Sequence, residues 1–152
     1  MYSFSKRLLD FAVALSLLSI SIPLFFLISL LIKCTSKGPI FYEGKRAGLN
    51  GVPFSMYKFR TMVPNSDISG GFSTALNDPR LTSCGRFLRR SKLDELPQLI
   101  NVLRGEMSLV GPRPQVFFYT DKYTNKEQKI LLVKPGITDL ASVYFADMDA
   151  VL

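Results

Sequence analysis

From Phe11 to Ile32 the chain runs without one charged position, interrupted only by serines, two alanines and Pro23. An apolar run of that length predicts a membrane segment. At about −0.3 to −0.6 kcal/mol for each Leu, Ile, Phe or Val, insertion is favourable by several kcal/mol. A cleaved signal peptide fits badly, because Lys33-Cys34-Thr35 follows where small residues would mark a cleavage site. Lys6 and Arg7 precede the run, and Lys33, Lys37, Lys45 and Arg46 follow it. Positive charge near membrane ends favours the cytoplasmic side, so both ends are drawn to the same side. Pro23, near the midpoint, removes one N–H and disfavours helical backbone at Ile22. A break there leaves two arms of roughly 15 to 18 Å, about half a hydrocarbon core. The pattern predicts a re-entrant helix-hairpin broken at Pro23; the alternative is a kinked single span with its N-terminus outside.

Beyond the segment the period changes. Pro39 to Tyr42 and Phe54 to Phe59 flank Gly48-Leu49-Asn50-Gly51, and Asn-Gly between β-rich runs predicts a β-hairpin. Val63 to Pro79, with Gly70-Gly71 inside it, reads as a loop. Leu93, Leu96, Ile100 and Leu103 recur at helical spacing and predict an amphipathic helix with Pro97 in its first turn and Gly105 at its end. Gly111-Pro112-Arg113-Pro114 reads as a stiff turn, Val116 to Lys129 as one or two short helices, and Ile137 to Phe145 as a strand.

Composition narrows the chemistry. The 152 residues suit a single folded unit, and a hydrophobic share of 47% excludes a disordered chain. Histidine is absent, which removes imidazole bases, Ser-His and Cys-His pairs and His-containing zinc sites. Cys34 and Cys84 stand in no metal-ligand spacing and read as free thiols. The formal charge is +7, and no acid interrupts Arg80, Arg86, Arg89, Arg90 and Lys92 before Asp94-Glu95. Guanidinium groups match phosphate oxygens in bidentate fashion, so this stretch points to a phosphate-bearing ligand. Anionic headgroups are the plainer partner for the same cations, at roughly 1 kcal/mol each. Asp94 and Glu95 are neighbours whose side chains diverge on a helix, so they suit different tasks: one carboxylate to attack phosphorus, the other to hold Mg²⁺. Two acids in a first helical turn also serve simply as dipole complements. Lys58, Arg60 and Arg113 are further phosphate-binding candidates. Asp147-Met148-Asp149 matches the Asp-x-Asp of nucleotide-sugar glycosyltransferases, without a P-loop or dinucleotide fingerprint beside it.

Lys58-Phe59-Arg60-Thr61-Met62, Asp78-Pro79-Arg80, Leu93-Asp94-Glu95-Leu96-Pro97-Gln98-Leu99, Asn101 through Pro114 and Lys134-Pro135-Gly136-Ile137-Thr138 follow one another. This ordered set resembles the bacterial sugar transferases, the monotopic phosphoglycosyl transferases. The resemblance implies transfer of a sugar 1-phosphate from a UDP-sugar to undecaprenyl phosphate with release of UMP, the initiating step of polysaccharide, O-antigen, capsule or glycoprotein glycan assembly. By it, Asp94 is the nucleophile that forms an aspartyl phosphosugar, Glu95 assists with Mg²⁺, and Arg89 and Pro112-Arg113-Pro114 lie at the phosphate and nucleotide site. Lys58, Arg60 and Arg80 join the phosphate-binding set, and Asp94 with Glu95 forms the metal set. The family's membrane arm breaks at a proline matching Pro23, although Ile22 stands where serine usually precedes it.

The expected fold is therefore α+β, with a re-entrant membrane helix-hairpin over residues 1–37. A small, mostly helical, membrane-associated catalytic domain with a β-hairpin is expected over residues 38–152, truncated at its C-terminus relative to the family. Expected partners are a UDP-sugar, undecaprenyl phosphate and inner-membrane lipid at the cytoplasmic face, with a homodimer allowed for and no nucleic acid. Two other functions fit the residues: a non-catalytic membrane-anchored module that binds lipid or scaffolds enzymes, and a glycosyltransferase whose metal site is Asp147 and Asp149.

Overall fold

Ser3 accepts a hydrogen bond from the Lys6 N–H and opens helix α1, which runs in one piece from Phe4 to Thr35. A computed structural model describes residues 3–64, 66 and 78–139. Along α1, Asp10, Ala14, Ile28 and Ile32 are buried, with Leu18, Ser21, Leu24 and Phe25 half-buried between them. Steps of three and four follow the helical repeat, so one side of α1 rests on the remainder of the chain from end to end. The other side exposes Leu9, Ile20, Ile22, Phe26 and Leu30.

The expected break at Pro23 does not divide the helix. Pro23 lies inside α1, and the packed stripe keeps its phase on both sides of it. An interior proline costs about 3 kcal/mol. Packing of Ala14 and Leu18 before it, and of Leu24, Phe25 and Ile28 after it, opposes separation into two arms.

Strands β1 (Phe41–Ala47) and β2 (Pro53–Phe59) form the expected antiparallel hairpin, in register from Phe41 opposite Phe59 to Ala47 opposite Pro53. Its loop contains a 3-10 turn, Leu49–Gly51, where Asn50 and Gly51 take the left-handed conformation that makes Asn-Gly a turn signal. Helix α2 (Ser83–Arg90) follows, with the Thr82 hydroxyl accepting from the Gly85 N–H. The amphipathic segment is split: Leu93–Glu95 is a 3-10 turn and α3 begins only at Gln98, ending at Arg104. Pro97, at the N-cap of α3, has no N–H to donate and separates the two. Gly105 closes α3 at φ 83°, as expected.

Strand β3 (Ser108–Val110) pairs in parallel with β4 (Gly136–Thr138), and α4 (Phe117–Thr120) and a 3-10 turn, Glu127–Leu132, lie between them. The sequence offers no element for β3, since three residues carry no period. Of the strand expected from Ile137 to Phe145, residues 137–139 are described; the remainder, the Gly70-Gly71 loop and Asp147-Met148-Asp149 lie outside the described residues.

Two apolar clusters join these elements to α1. Ala14 packs with Phe54, Met56, Leu99, Val102 and Met107, and Ile28 and Ile32 pack with Phe59 and Leu88. Leu96 touches both clusters, so the turn carrying Asp94 and Glu95 is fixed at their junction. Cys34 and Cys84 are both free thiols.

Candidate active site

The turn that presents the two acids begins with a strained residue. Lys92 has φ 57°, a left-handed backbone that costs a side-chain-bearing residue roughly 1 to 2 kcal/mol. It turns the chain from the end of α2 into Leu93–Glu95. In a 3-10 turn successive side chains diverge by about 120°, so Asp94 and Glu95 do not form a facing pair.

Their surroundings differ accordingly. Asp94 is buried, and that burial pushes its carboxyl above the usual range, against the pull of Lys58 and with a further push from Glu95. Burial also disfavours ionised Glu95, but Lys58 and Arg113 together outweigh it and hold this carboxyl below its usual value. Lys58, from β2, places Nζ 2.6 Å from Glu95 Oε1, and Arg113 places Nη2 3.4 Å from the same oxygen. One acid is thus more basic than usual and the other is clamped as an anion.

Arg89 acts from α2. Its Nε donates to the Thr61 hydroxyl at 3.1 Å, and its charge favours ionised Asp94. Thr61 also receives the Thr82 N–H at its carbonyl, 3.0 Å away, so the extension of β2 holds the start of α2 and the Arg89 side chain together. Gly85 makes this approach feasible: a Cβ there would lie 1.9 Å from the Thr61 carbonyl oxygen.

Arg113 is positioned from the other direction. Gly111 N–H donates to the Thr138 carbonyl at 3.0 Å, and Gly136 N–H to the Pro112 carbonyl at 2.9 Å. A Cβ on Gly136 would fall 2.1 Å from Gly111 N, so this crossing needs glycine. Lys134 to Thr138 therefore fixes the Pro112-Arg113-Pro114 segment. A groove beside that segment is walled by Pro112, Pro114, Gly48, Tyr123, Ile130 and Val133, with Arg113 at its edge.

The sequence candidates separate into three groups. Asp94, Glu95, Lys58, Arg89 and Arg113 converge on the turn, and Pro112 and Pro114 line the adjoining groove. Arg80 is paired with Asp78, at 2.6 Å, and reaches the Ser66 carbonyl; the Asp78 carboxyl is held at about 2 by that partner. Arg60 departs from the phosphate-binding expectation. It is buried and donates to the Ser36 and Lys37 carbonyls and the Ser36 hydroxyl, fixing the end of α1. The spacing Lys58-Phe59-Arg60 conceals this, because residues two apart in a strand share a face, whereas β2 ends at Phe59 before Arg60.

Thr61 and the groove residue Tyr123 were not singled out from the sequence, and neither was Asp10. Asp10 is fully buried, bonded to Lys6 and to the Ser108 hydroxyl at 2.9 Å, while Arg7 donates to the Val102 and Leu103 carbonyls. These contacts lock the start of α1 to α3 and β3. A charge beside an apolar run signals a flank, and nothing in its spacing marks one that is wholly buried.

The donor set fits Mg²⁺. Among the described residues no three His, Cys, Asp or Glu side chains gather, but Mg²⁺ typically keeps waters and takes one or two carboxylates plus substrate phosphates. Both cationic contacts to Glu95 fall on Oε1, leaving its other oxygen and the Asp94 carboxylate as oxygen donors.

The family model described as bacterial sugar transferase matches residues 1–151. The chain is similar to the uncharacterized sugar transferase EpsL of Bacillus subtilis, at 41% identity over 138 residues, 91% of this chain and 67% of the relative. It is similar to a putative undecaprenyl-phosphate N-acetylgalactosaminyl 1-phosphate transferase of the same organism, at 43% over 121 residues, 80% of this chain and 68% of the relative. A UDP-glucose:undecaprenyl-phosphate glucose-1-phosphate transferase of Caulobacter vibrioides is 43% identical over 141 residues, 91% of this chain but 53% of the relative. The chain thus spans about two thirds of the first two proteins and about half of the third.

Proposed function

The chain belongs to the bacterial sugar transferase family, and from that premise we propose that it transfers a sugar 1-phosphate from a UDP-sugar to undecaprenyl phosphate, releasing UMP. The observation that carries the reading is the pairing of a buried, unusually basic Asp94 with a Glu95 clamped as an anion by Lys58 and Arg113.

In the first displacement an Asp94 carboxylate oxygen attacks the phosphorus attached to the sugar. The bond from that phosphorus to the UMP oxygen breaks, and UMP leaves with the electron pair. In the second, an oxygen of the acceptor phosphate attacks the same phosphorus, and the Asp94 carboxylate is released. Burial strips water from the nucleophile, and the nearby Lys58 and Arg89 charges keep it ionisable. Arg89 and Arg113 approach the turn from opposite elements and suit the oxygens of the donor diphosphate, with its nucleoside lying toward the Pro112-Arg113-Pro114 segment. Mg²⁺, held by Asp94 and Glu95, would neutralise phosphoryl charge when bound.

The membrane association of α1 supports the second displacement. α1 is long and apolar enough to cross a membrane by length and composition. Both of its ends nevertheless pack on the remainder of the chain, through Asp10 with Ser108 and through Ile32 with Leu88. We read this as a monotopic attachment at the cytoplasmic face of the inner membrane, with both ends of α1 on one side. Asp94 then stands where a lipid phosphate reaches it without leaving the bilayer.

The test is UMP release from a panel of UDP-sugars with Mg²⁺ and undecaprenyl phosphate, for wild type and Asp94→Asn. Wild type is expected to release UMP from at least one donor and the variant to fall to background. Wild-type turnover by Asp94→Asn would overturn the mechanism.

A further inference from the structure

Helix α2 has two flanks with different duties. Leu88 is fully buried against Ile28, Ile32 and Phe59, and Cys84 packs beside it. Turning about 100° from Leu88 in one direction brings Arg89, which is tied to Thr61 and felt by Asp94. Turning as far in the other direction brings Phe87, which is 62% exposed on the flank away from Thr61. Opposite Leu88 stand Arg86 and Arg90, one turn apart, both exposed and neither making a side-chain hydrogen bond or ion pair among the described residues. A large exposed aromatic ring beside two guanidinium groups that make no polar contact among the described residues is a poor surface for water alone. It suits a molecule that joins an apolar chain to a phosphate.

We propose that Arg86, Phe87 and Arg90 form the docking surface for the prenyl phosphate acceptor, the two guanidinium groups holding its phosphate and Phe87 its first isoprene units. This rests on the transferase reading given above and assigns the acceptor a place in it. Charge complementarity favours this occupant: a phosphate monoester carries up to two negative charges and matches two arginines on one helical face. Continuity favours it as well. α2 packs on the apolar helix α1 through Leu88 and, across Ser91 and Lys92, leads straight to Asp94. Arg90 stands four residues before Asp94, on a helix whose Leu88 packs against the lipid-seeking α1. Arg89, on the inner flank, is then left to the reaction itself.

The test is calorimetric binding to the detergent-solubilised full chain, with farnesyl phosphate, inorganic phosphate and dihexanoyl-phosphatidylglycerol as separate probes. Farnesyl phosphate is expected to bind more tightly than either of the others. Arg86→Gln and Arg90→Gln are each expected to weaken it about five-fold, roughly 1 kcal/mol. Phe87→Ser is expected to weaken farnesyl phosphate and leave inorganic phosphate unchanged. Thermal unfolding of the variants checks that these exposed substitutions leave the fold intact. Equal binding of phosphatidylglycerol, weakened to the same degree by the arginine variants, would reduce the surface to a general headgroup contact and overturn the proposal, as would unchanged farnesyl phosphate affinity. Acceptor-free UMP release by wild type, measured alongside, separates the two readings: its absence with farnesyl phosphate binding intact counts against the transferase alone.

Discussion

Replacing Gly85 with alanine tests whether the approach of α2 to the end of β2 builds the site. The added Cβ would stand 1.9 Å from the Thr61 carbonyl oxygen and 2.5 Å from its carbon, both backbone atoms that cannot rotate away. To reach an ordinary contact near 3.4 Å, the two elements must separate by about 1.5 Å. That movement stretches the Thr82 to Thr61 bond, now 3.0 Å, and the Arg89 to Thr61 bond, now 3.1 Å, past any useful length. Overpacking costs about 1 to 3 kcal/mol and the two bonds about 0.5 to 1.5 kcal/mol each, so the expected loss is roughly 2 to 6 kcal/mol. For a chain of this size each kcal/mol lowers the unfolding midpoint by about 3 °C. Thermal unfolding in detergent should show a fall of at least about 6 °C, with Arg89 freed from Thr61 and UMP release reduced at temperatures where the variant is folded. A midpoint within a degree of wild type, with unchanged turnover, would refute the argument.

Two further substitutions probe charges. Lys58→Met removes the strongest influence favouring ionised Asp94, so its carboxyl rises further above the usual range and the acid limb of the UMP-release pH profile moves to higher pH; a limb that stays in place would contradict the assignment. The same change weakens the grip on Glu95, whose lowered value contributes stability above the unfolded value that is lost as pH falls through the folded one. Its cost should stay below the about 3 to 5 kcal/mol of a fully broken buried pair, because Arg113 remains. Asp10→Ala removes a wholly buried acceptor from Lys6 and Ser108 and is expected to cost about 1 to 3 kcal/mol in chemical denaturation, with much of it recovered in Lys6→Met/Asp10→Leu; an unchanged midpoint for Asp10→Ala would show that the start of α1 is held by apolar contacts alone.

Local signals were legible where one residue type dictates the backbone. Asn50-Gly51 announced the hairpin, and Gly105 ended α3 at the expected place. Pro97 was equally visible, but its effect depended on what followed: periodicity across Leu93 to Leu103 cannot distinguish one helix from a 3-10 turn and a shorter helix in phase with it. Pro23 misled in the opposite direction, since its local cost is countered by packing from elements distant in sequence. At the site, Asp94, Glu95 and the cations around them stood out as charge in a motif. Arg60 did not reveal that it serves α1, and Asp10 did not reveal its burial, because both depend on contacts with residues far along the chain.

The packed stripe along α1 makes the apolar helix and the turn bearing Asp94 and Glu95 parts of one solid object. With Arg7 seated on α3 and Ile32 on the cluster beneath α2, α1 is not a tether on which the site can rise or sink. On the proposed reading, the depth at which Asp94 would meet the bilayer is set when the chain folds, in the manner of a fixed gauge. Such an enzyme adapts to a thicker or thinner membrane only by tilting as a whole or by deforming the lipid around it, at fractions of a kcal/mol per ångström of mismatch. Bilayer thickness would then act on turnover through geometry, with no ligand required.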